Sequence, residues 1–324
     1  MHQTIEELDP TLLKAAADFL INGDDFLLSA HVNSDGDAIG ACLGLQHILH
    51  IKGKRAIVLL SDLQDHYDFI PGWTEIEVIP QVYNGRHFKH VVALDCPKLD
   101  RLGRVKMCLA TDAQVLNIDH HQDNTAFGHI NLTPNTASST CEILYHLATY
   151  MDIPFDRDLA EQLYSGIVYD TGSFRYSLAT ASTFAIAGKL VGYGARLDYI
   201  ARRLFSTKSV DEIKVLGRVI NSLELYFNQR VAILHVNHDD MQYGSADEAV
   251  NYGLMVDTVE VAVLLKEEAP AQYRISLRSL KANVQRIAAA FDGGGHAKAA
   301  GCRSIGPQAT VKKALLSEIE KHLD

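Results

Sequence analysis

The chain has 324 residues and a formal net charge of −10, with 47% hydrophobic and 22% charged residues. That length suggests about two domains of roughly 150 residues, each able to bury a core. The negative balance argues against a wide electrostatic grip on long duplex nucleic acid, and an aromatic content of 8% argues against a broad base-stacking platform. Five widely spaced cysteines without a CxxC pair argue against a disulfide framework or a thiolate zinc site and for a reducing cytosol. The start, MHQTIEELDP, lacks the basic-then-apolar order of a signal peptide. No apolar run approaches the roughly 18 residues that span a membrane. A soluble cytoplasmic protein with no membrane partner is expected.

Asp9 and Pro10 read as an N-cap and first helical residue, followed by apolar residues at helical spacing through Leu20. DFLLSA (25–30) reads as a buried strand that runs into the polar loop HVNSDGDAIG and then a helix through Ile48. RAIVLL (55–60), HVVALD (90–95) and QVLNID (114–119) read as further strands, the last two each ending on an aspartate. Helical patterns fill the gaps and recur at 138–150, 158–168 and 182–191. The first half is therefore an alternating α/β unit with a mainly parallel sheet. Such sheets bind ligands beyond the carboxyl ends of their strands. An amphipathic helical stretch over 197–227 reads as a connector. Strands at 230–236, 259–267 and 273–279, the last two flanking a hairpin loop EAPAQ, and helices at 283–291 and 309–323 then make a smaller α/β domain. The expected division is a catalytic domain over 1–191, a helical linker over 192–215 and a substrate-binding domain over 216–324.

Four acidic and histidine clusters stand out: His31 with Asp35 and Asp37, then Asp95, then Asp119-His120-His121, then Asp170 in VYDTGSF. Singly, each has an ordinary explanation. An aspartate at a strand end caps a turn or helix, and a histidine pair is commonly a surface feature. Together they deliver carboxylates and imidazoles to one edge of one sheet. Buried carboxylates repel each other unless something positive neutralises them, and a pair of divalent cations does so. Oxygen and imidazole donors without thiolate suit manganese, with magnesium or cobalt as alternatives. Such a pair is the apparatus of two-metal phosphoryl chemistry.

The ordered set HVNSDGDAIGA, ALDCP, NIDHH and YDTGSF resembles the DHH phosphoesterase superfamily, with the Asp-His-His signature intact at 119–121. SLRS (276–279) and FDGGGHAKAAG (291–301) resemble the DHH-associated C-terminal domain. The whole is most similar to the nanoRNase/pAp-phosphatase branch. The resemblance implies one metal on His31, Asp35 and Asp95, and a second on Asp37, Asp95, His120 and Asp170. It implies that Asp119 orients its neighbouring imidazole while His121 faces the scissile phosphate. Phosphate binding would fall to Arg278 and to Gly293, Gly294, Gly295 and His296, whose glycines let backbone N–H groups turn toward an anion. The active site would lie in a cleft between the two domains.

The expected activity is hydrolysis of short oligoribonucleotides to mononucleotides, of 3′-phosphoadenosine 5′-phosphate (pAp) to AMP, or of both. Substrates are nucleotides or short oligomers, and a homodimer is compatible with the sequence. The alternatives are a c-di-AMP or pApA phosphodiesterase, a manganese inorganic pyrophosphatase and a non-catalytic nucleotide sensor. The glycine-rich motif argues against the pyrophosphatase, and the filled ligand positions argue against the sensor. Asp292 stands where many relatives carry glycine, which leaves the fine specificity open.

Overall fold

The computed structural model describes residues 8–243 and 246–323. Met1–Glu7, on which the reading of the N-terminus rests, lies outside them. The chain divides into two compact units, with the boundary between Thr207 and Lys208. Among the described residues no helix is long and apolar enough to cross a membrane.

In the first unit, α1 (Pro10–Asn22) starts as expected: the Asp9 carboxylate accepts from Thr11 N at 2.8 Å, and Pro10 occupies the first turn. There follow β1 (Phe26–Ser29), α2 (Gly36–Ile51), β2 (Ala56–Leu60), β3 (Glu77–Val78), β4 (Phe88–Leu94), β5 (Leu109–Ile118) and β6 (Ile130–Leu132). Four helices complete it: α3 (Thr140–Tyr150), α4 (Arg157–Asp170), α5 (Ala181–Gly192) and α6 (Leu197–Phe205). The strands form one six-stranded sheet in the order β3-β2-β1-β4-β5-β6, and every pairing is parallel. The expected helices between β2 and β5 are replaced by short 3-10 turns at Asp65–Tyr67 and Trp73–Glu75 and a longer, kinked 3-10 segment, Leu99–Cys108. At the kink Gly103 has φ 59°, and a β-carbon there would press on Val32 Cγ1 at 2.5 Å.

Strand alternation sends Leu28, Val58, Val92 and Leu116 into a core with α1 to α6. Leu27, Leu59, Val91 and Val115 enter a second core closed by Leu102, Val105 and Cys108. Parallel strands buried on both faces read as continuous apolar runs, which explains DFLLSA and HVVAL. Helix α2 is apolar on nearly every side and is correspondingly buried. Chain direction splits at β1: the α2 crossover leads to β2 on one side, while β4 lies on the other. The crevice at such a split is where an open α/β sheet takes its ligand.

The second unit contains α7 (Val210–Asn221), β7 (Glu224–Tyr226), β8 (Val231–Val236), α8 (Ala249–Leu254), β9 (Val261–Ala269), β10 (Gln272–Ser279), α9 (Val284–Ala289), β11 (Gly294–His296), β12 (Ala299–Ile305) and α10 (Gln308–Glu320). Its sheet runs β11-β12-β10-β9-β8-β7, with only β8 and β9 parallel. One face packs on α9 and α10, and part of the other packs on α7 and α8. The β9–β10 hairpin falls where EAPAQ predicts it. The single helical stretch expected over 197–227 does not form. It breaks after Phe205, because Ser209 and Glu212 build a capping box that starts a new helix (Glu212 N to Ser209 Oγ 3.1 Å, Ser209 N to Glu212 Oε2 2.6 Å), and the chain enters β7 at Glu224.

Helices α2 and α4 pack closely through glycines spaced four apart on one face of α2. A β-carbon at Gly36 would lie 2.8 Å from the Tyr169 ring, one at Gly40 2.6 Å from the Gln162 carbonyl oxygen, and one at Gly44 2.7 Å from Leu163 Cδ2. At Gly40 the obstacle is backbone, which cannot rotate away. Gly40→Ala is expected to destabilise the protein by about 1–3 kcal/mol, read as a lowered melting temperature. An unchanged melting temperature would show that the helices have room to separate.

Candidate metal centre

The ends of three neighbouring strands, the first turn of α2, which holds Asp37, and the end of α4 deliver the clustered side chains. His31 follows β1, and Asp35 caps α2, its Oδ1 accepting from Asp37 N at 3.0 Å and Ala38 N at 3.2 Å. Asp95 follows β4 with φ 50°, a left-handed conformation that is strained for a non-glycine residue and is found at functional sites. Asp119, His120 and His121 follow β5, and Asp170 ends α4.

The side chains converge around Asp95, which is 1% exposed. Its Oδ2 lies 3.4 Å from His31 Nε2, and its Oδ1 lies 3.6 Å from His120 Nε2 and 3.5 Å from His121 Nδ1. His31 Nε2 is also 3.8 Å from Asp35 Oδ2, and His120 Nε2 is 2.8 Å from Asp170 Oδ2. Donor atoms of His31, Asp35 and Asp95 fall within 4.8 Å of one another, as do those of Asp37, His120 and Asp170 and those of Asp95, His120 and His121. His31 Nδ1 contacts the Val32 carbonyl at 2.9 Å, which assigns the proton to Nδ1 and turns Nε2 inward. His121 Nδ1 contacts Asp119 Oδ1 at 2.7 Å, which leaves Nε2 outward on a half-buried ring.

Burial and mutual repulsion work against ionising all of these carboxylates at once. Burial, then Asp95 and Asp170, push Asp35 up to about 7, and the same influences hold Asp37 well above the usual carboxylate range. Burial also opposes ionisation of Asp95, but His31, His120 and His121 outweigh it and hold that carboxyl down at about 2. Burial disfavours the imidazolium of His31 and of His120, yet the surrounding carboxylates raise them to about 9 and about 10. The cluster therefore draws in protons to offset its surplus negative charge. The donors are oxygens and imidazole nitrogens with no thiolate, a set that fits divalent manganese or magnesium.

Residues 25–167 match the model of the DHH family N-terminal domain, and residues 226–323 match that of the DHHA1 domain. The chain belongs to the DHH family. It is 29% identical over 279 residues to the bifunctional oligoribonuclease and PAP phosphatase NrnA of Thermus thermophilus, covering 85% of this chain and 82% of the relative. It is 26% identical over 295 residues to the probable bifunctional oligoribonuclease and PAP phosphatase NrnA of Streptococcus mutans, covering 87% and 90%. An exopolyphosphatase-related protein from Bacteroides fragilis has the same fold, with a TM-score of 0.89 at 26% identity over 98% of this chain and 97% of that one.

In the DHHA1 region of this DHH-family chain, Gly294–His296 form an edge strand, not the free loop that three glycines suggest. Gly295 has φ 136°, and a β-carbon on it would lie 2.6 Å from the Ala299 carbonyl oxygen. Pairing on β12 therefore requires the glycine. Arg278, Ala299 and His296 form one row across β10, β12 and β11. Side chains in one row share a face, so Arg278 and His296 stand on the same side with a small alanine between them. Arg278 Nη1 donates to its neighbour's carbonyl, Leu277 O, at 3.1 Å. Asp292 is exposed with φ 54° beside this strand.

Several supporting residues carry no motif of their own. Asn117 Nδ2 donates to the carbonyls of Ala93 and Cys96, both at 3.1 Å, and so braces the turn that holds Asp95. Asn124 Nδ2 donates to Asp119 Oδ2 at 2.5 Å and to Asn117 Oδ1 at 2.9 Å. Arg175 Nε bonds the Gly172 carbonyl at 2.7 Å on the exposed turn after α4, and Cys96 is buried in packing. Gly166, four residues before Asp170, lies against the Asp37 carboxylate and Cys141 Sγ, so a methyl there would overlap both. Gly166→Ala is expected to displace Asp37 and weaken manganese binding about 10-fold or more, measured by titration calorimetry. Unchanged affinity would show that the Asp37 carboxylate contributes little to the site.

Proposed function

We propose that this chain is a metal-dependent phosphoric ester hydrolase that degrades short oligoribonucleotides to mononucleotides and converts pAp to AMP. The observation that carries the reading is the convergence of His31, Asp35, Asp37, Asp95, His120 and Asp170 at one sheet edge. It occurs in a chain similar along most of its length to bifunctional oligoribonuclease and PAP phosphatases. In this reading residues 1–191 carry the catalytic centre and 216–324 bind substrate, while the stretch 192–215, expected as a linker, is shared out between the units, with α6 packed in the first and α7 in the second.

His31, Asp35 and Asp95 would hold one divalent cation, and Asp37, Asp95, His120 and Asp170 a second, manganese being the metal the donors suit best. Bound there, the cations supply Lewis-acid neutralisation of charge that develops on the phosphoryl group. The chain's own residues do the rest. Asp119 fixes the His121 ring through Nδ1 and, with Asp95, raises its pKa against the effect of burial. That makes the imidazolium a source of the proton a leaving oxygen needs. Arg278 and His296 bind a substrate phosphate from their common face, with Gly293–Gly295 admitting it close to the backbone. A grip on few phosphates reconciles nucleic-acid substrates with a net charge of −10.

The test is one panel with manganese: pAp, a 5′-phosphorylated diribonucleotide, a five-mer, c-di-AMP, pApA and pyrophosphate. Release of mononucleotides from the oligomers with turnover of pAp is expected. Turnover of c-di-AMP and pApA alone would move the chain to dinucleotide signalling, and turnover of pyrophosphate alone would overturn the ester-hydrolase reading. Asp95→Ala is expected to lower kcat by about 10³-fold, and nucleotide binding without any wild-type turnover would make the chain a sensor. Arg278→Ala is expected to raise KM for pAp about 10-fold, the worth of one charged hydrogen bond. An unaltered KM would remove Arg278 from the phosphate site.

A further inference from the structure

The first turn of α3 meets the acidic cluster without being one of its signature elements. Ser139 is the N-cap, and its Oγ accepts from Glu142 N at 3.0 Å. The two preceding N–H groups of the helix both go to one carboxylate: Thr140 N donates to Asp37 Oδ2 at 2.6 Å and Cys141 N to Asp37 Oδ1 at 3.0 Å. A helix start needs acceptors for those amides, and an aspartate supplies them. Helix formation does not call for the third contact. The Thr140 hydroxyl, wholly buried, donates to Asp95 Oδ1 at 3.1 Å.

We infer that Thr140 is a positioning residue for the metal centre, its backbone amide orienting Asp37 and its hydroxyl setting the rotation of Asp95, the carboxylate common to both proposed cation sites. The geometry requires such a setting. Asp95 must present Oδ2 toward His31 while Oδ1 faces His120 and His121. The imidazoles lie 3.4–3.6 Å from it, too far to fix the plane of the carboxylate alone. The hydroxyl is the closer partner, and a hydrogen bond to an ionised acceptor is of the stronger kind. The turn that carries Thr140 is itself anchored: Glu142 Oε2 accepts from Ser138 N at 3.2 Å, from the Ser138 hydroxyl and from Thr183 Oγ1 at 3.0 Å. Glu142, Ser138 and Thr183 are all buried. One helix start thus ties a carboxylate from the first turn of α2 and one from the end of β4 into one frame.

The inference rests on the proposed metal-dependent reading, and its test separates the two. Manganese titration by calorimetry, with kcat and KM on pAp, would compare wild type, Thr140→Val and Thr140→Ser. Valine keeps the shape and backbone amide but removes the hydroxyl, whereas serine restores the hydroxyl without the methyl. Loss of an outer hydrogen bond to a ligand is expected to weaken manganese affinity about 10-fold to 100-fold in T140V. Recovery to within about 3-fold is expected in T140S, with kcat lowered in T140V while KM changes little at saturating manganese. Metal-free melting temperatures check that both variants fold, and Thr140→Ala replaces T140V in the comparison if valine is not accommodated. Wild-type affinity in the hydroxyl-free variant, or an equal loss in T140S, would overturn the inference. Wild type that binds manganese with the expected variant pattern but hydrolyses nothing in the panel would overturn the proposed function and leave this inference standing.

Discussion

Mutual repulsion among Asp35, Asp37, Asp95 and Asp170 is the constraint on which the arrangement of the first unit turns. These carboxylates are brought to one edge of the sheet and largely removed from water, where an uncompensated charge costs several kcal/mol. Part of the compensation is built from the chain. His31, His120 and His121 surround Asp95 and keep it ionised, and the first turn of α3 gives two amides to Asp37. What remains uncompensated shows in the raised carboxyls of Asp35 and Asp37. A site that must take up protons to exist without cations is one that divalent cations would occupy readily, with protons released as they bind.

The fold makes that concentration of charge affordable through packing elsewhere. β1 and β4 lie side by side at the point where chain direction splits, so the loops after them open onto one crevice. α2 begins in the first loop and lies against α4 through Gly36, Gly40 and Gly44, which lets Asp170 at the end of α4 come within 2.8 Å of His120. Gly166 removes the one methyl that would strike Asp37. Glycine is costly inside helices, about 1 kcal/mol relative to alanine. Its repeated use in α2 and α4 marks where close approach matters more than helix propensity.

The second unit relies on strand register. Its sheet is covered on one face by α9 and α10, while the other face is covered by α7 and α8 over only part of its width. Toward the β11 edge the strands carry small residues, Ala299, Gly301 and Gly294, flanked by Arg278 and His296. In the proposed reading such a surface would offer a phosphate two polar side chains over a floor with little steric bulk. Gly293 and Gly295 contribute by letting this segment close on β12, since a β-carbon on either would strike that strand, and Asp292 and Gly295 adopt positive-φ conformations.

Local chemistry was sufficient to read the parallel character of the first sheet, the strand ends on Asp95 and Asp119, and the family, because buried strands and motif residues leave contiguous patterns in the chain. It overestimated the helix over 197–227, since amphipathic spacing continues through a break that the Ser209–Glu212 capping box imposes. It gave no sign that Gly294–His296 pair as an edge strand, because glycine's freedom hides its use there. Thr140, Asn117, Asn124 and Gly166 belong to no motif, because their contacts are with residues far along the chain, as Thr140 and Gly166 with Asp37, or with backbone groups that no motif records. The sequence by itself determined which acids and histidines are present and that they fall at strand and helix ends. Only the tertiary structure decided which nitrogen faces which oxygen, because hydrogen-bond direction depends on partners that folding, not chain order, brings together.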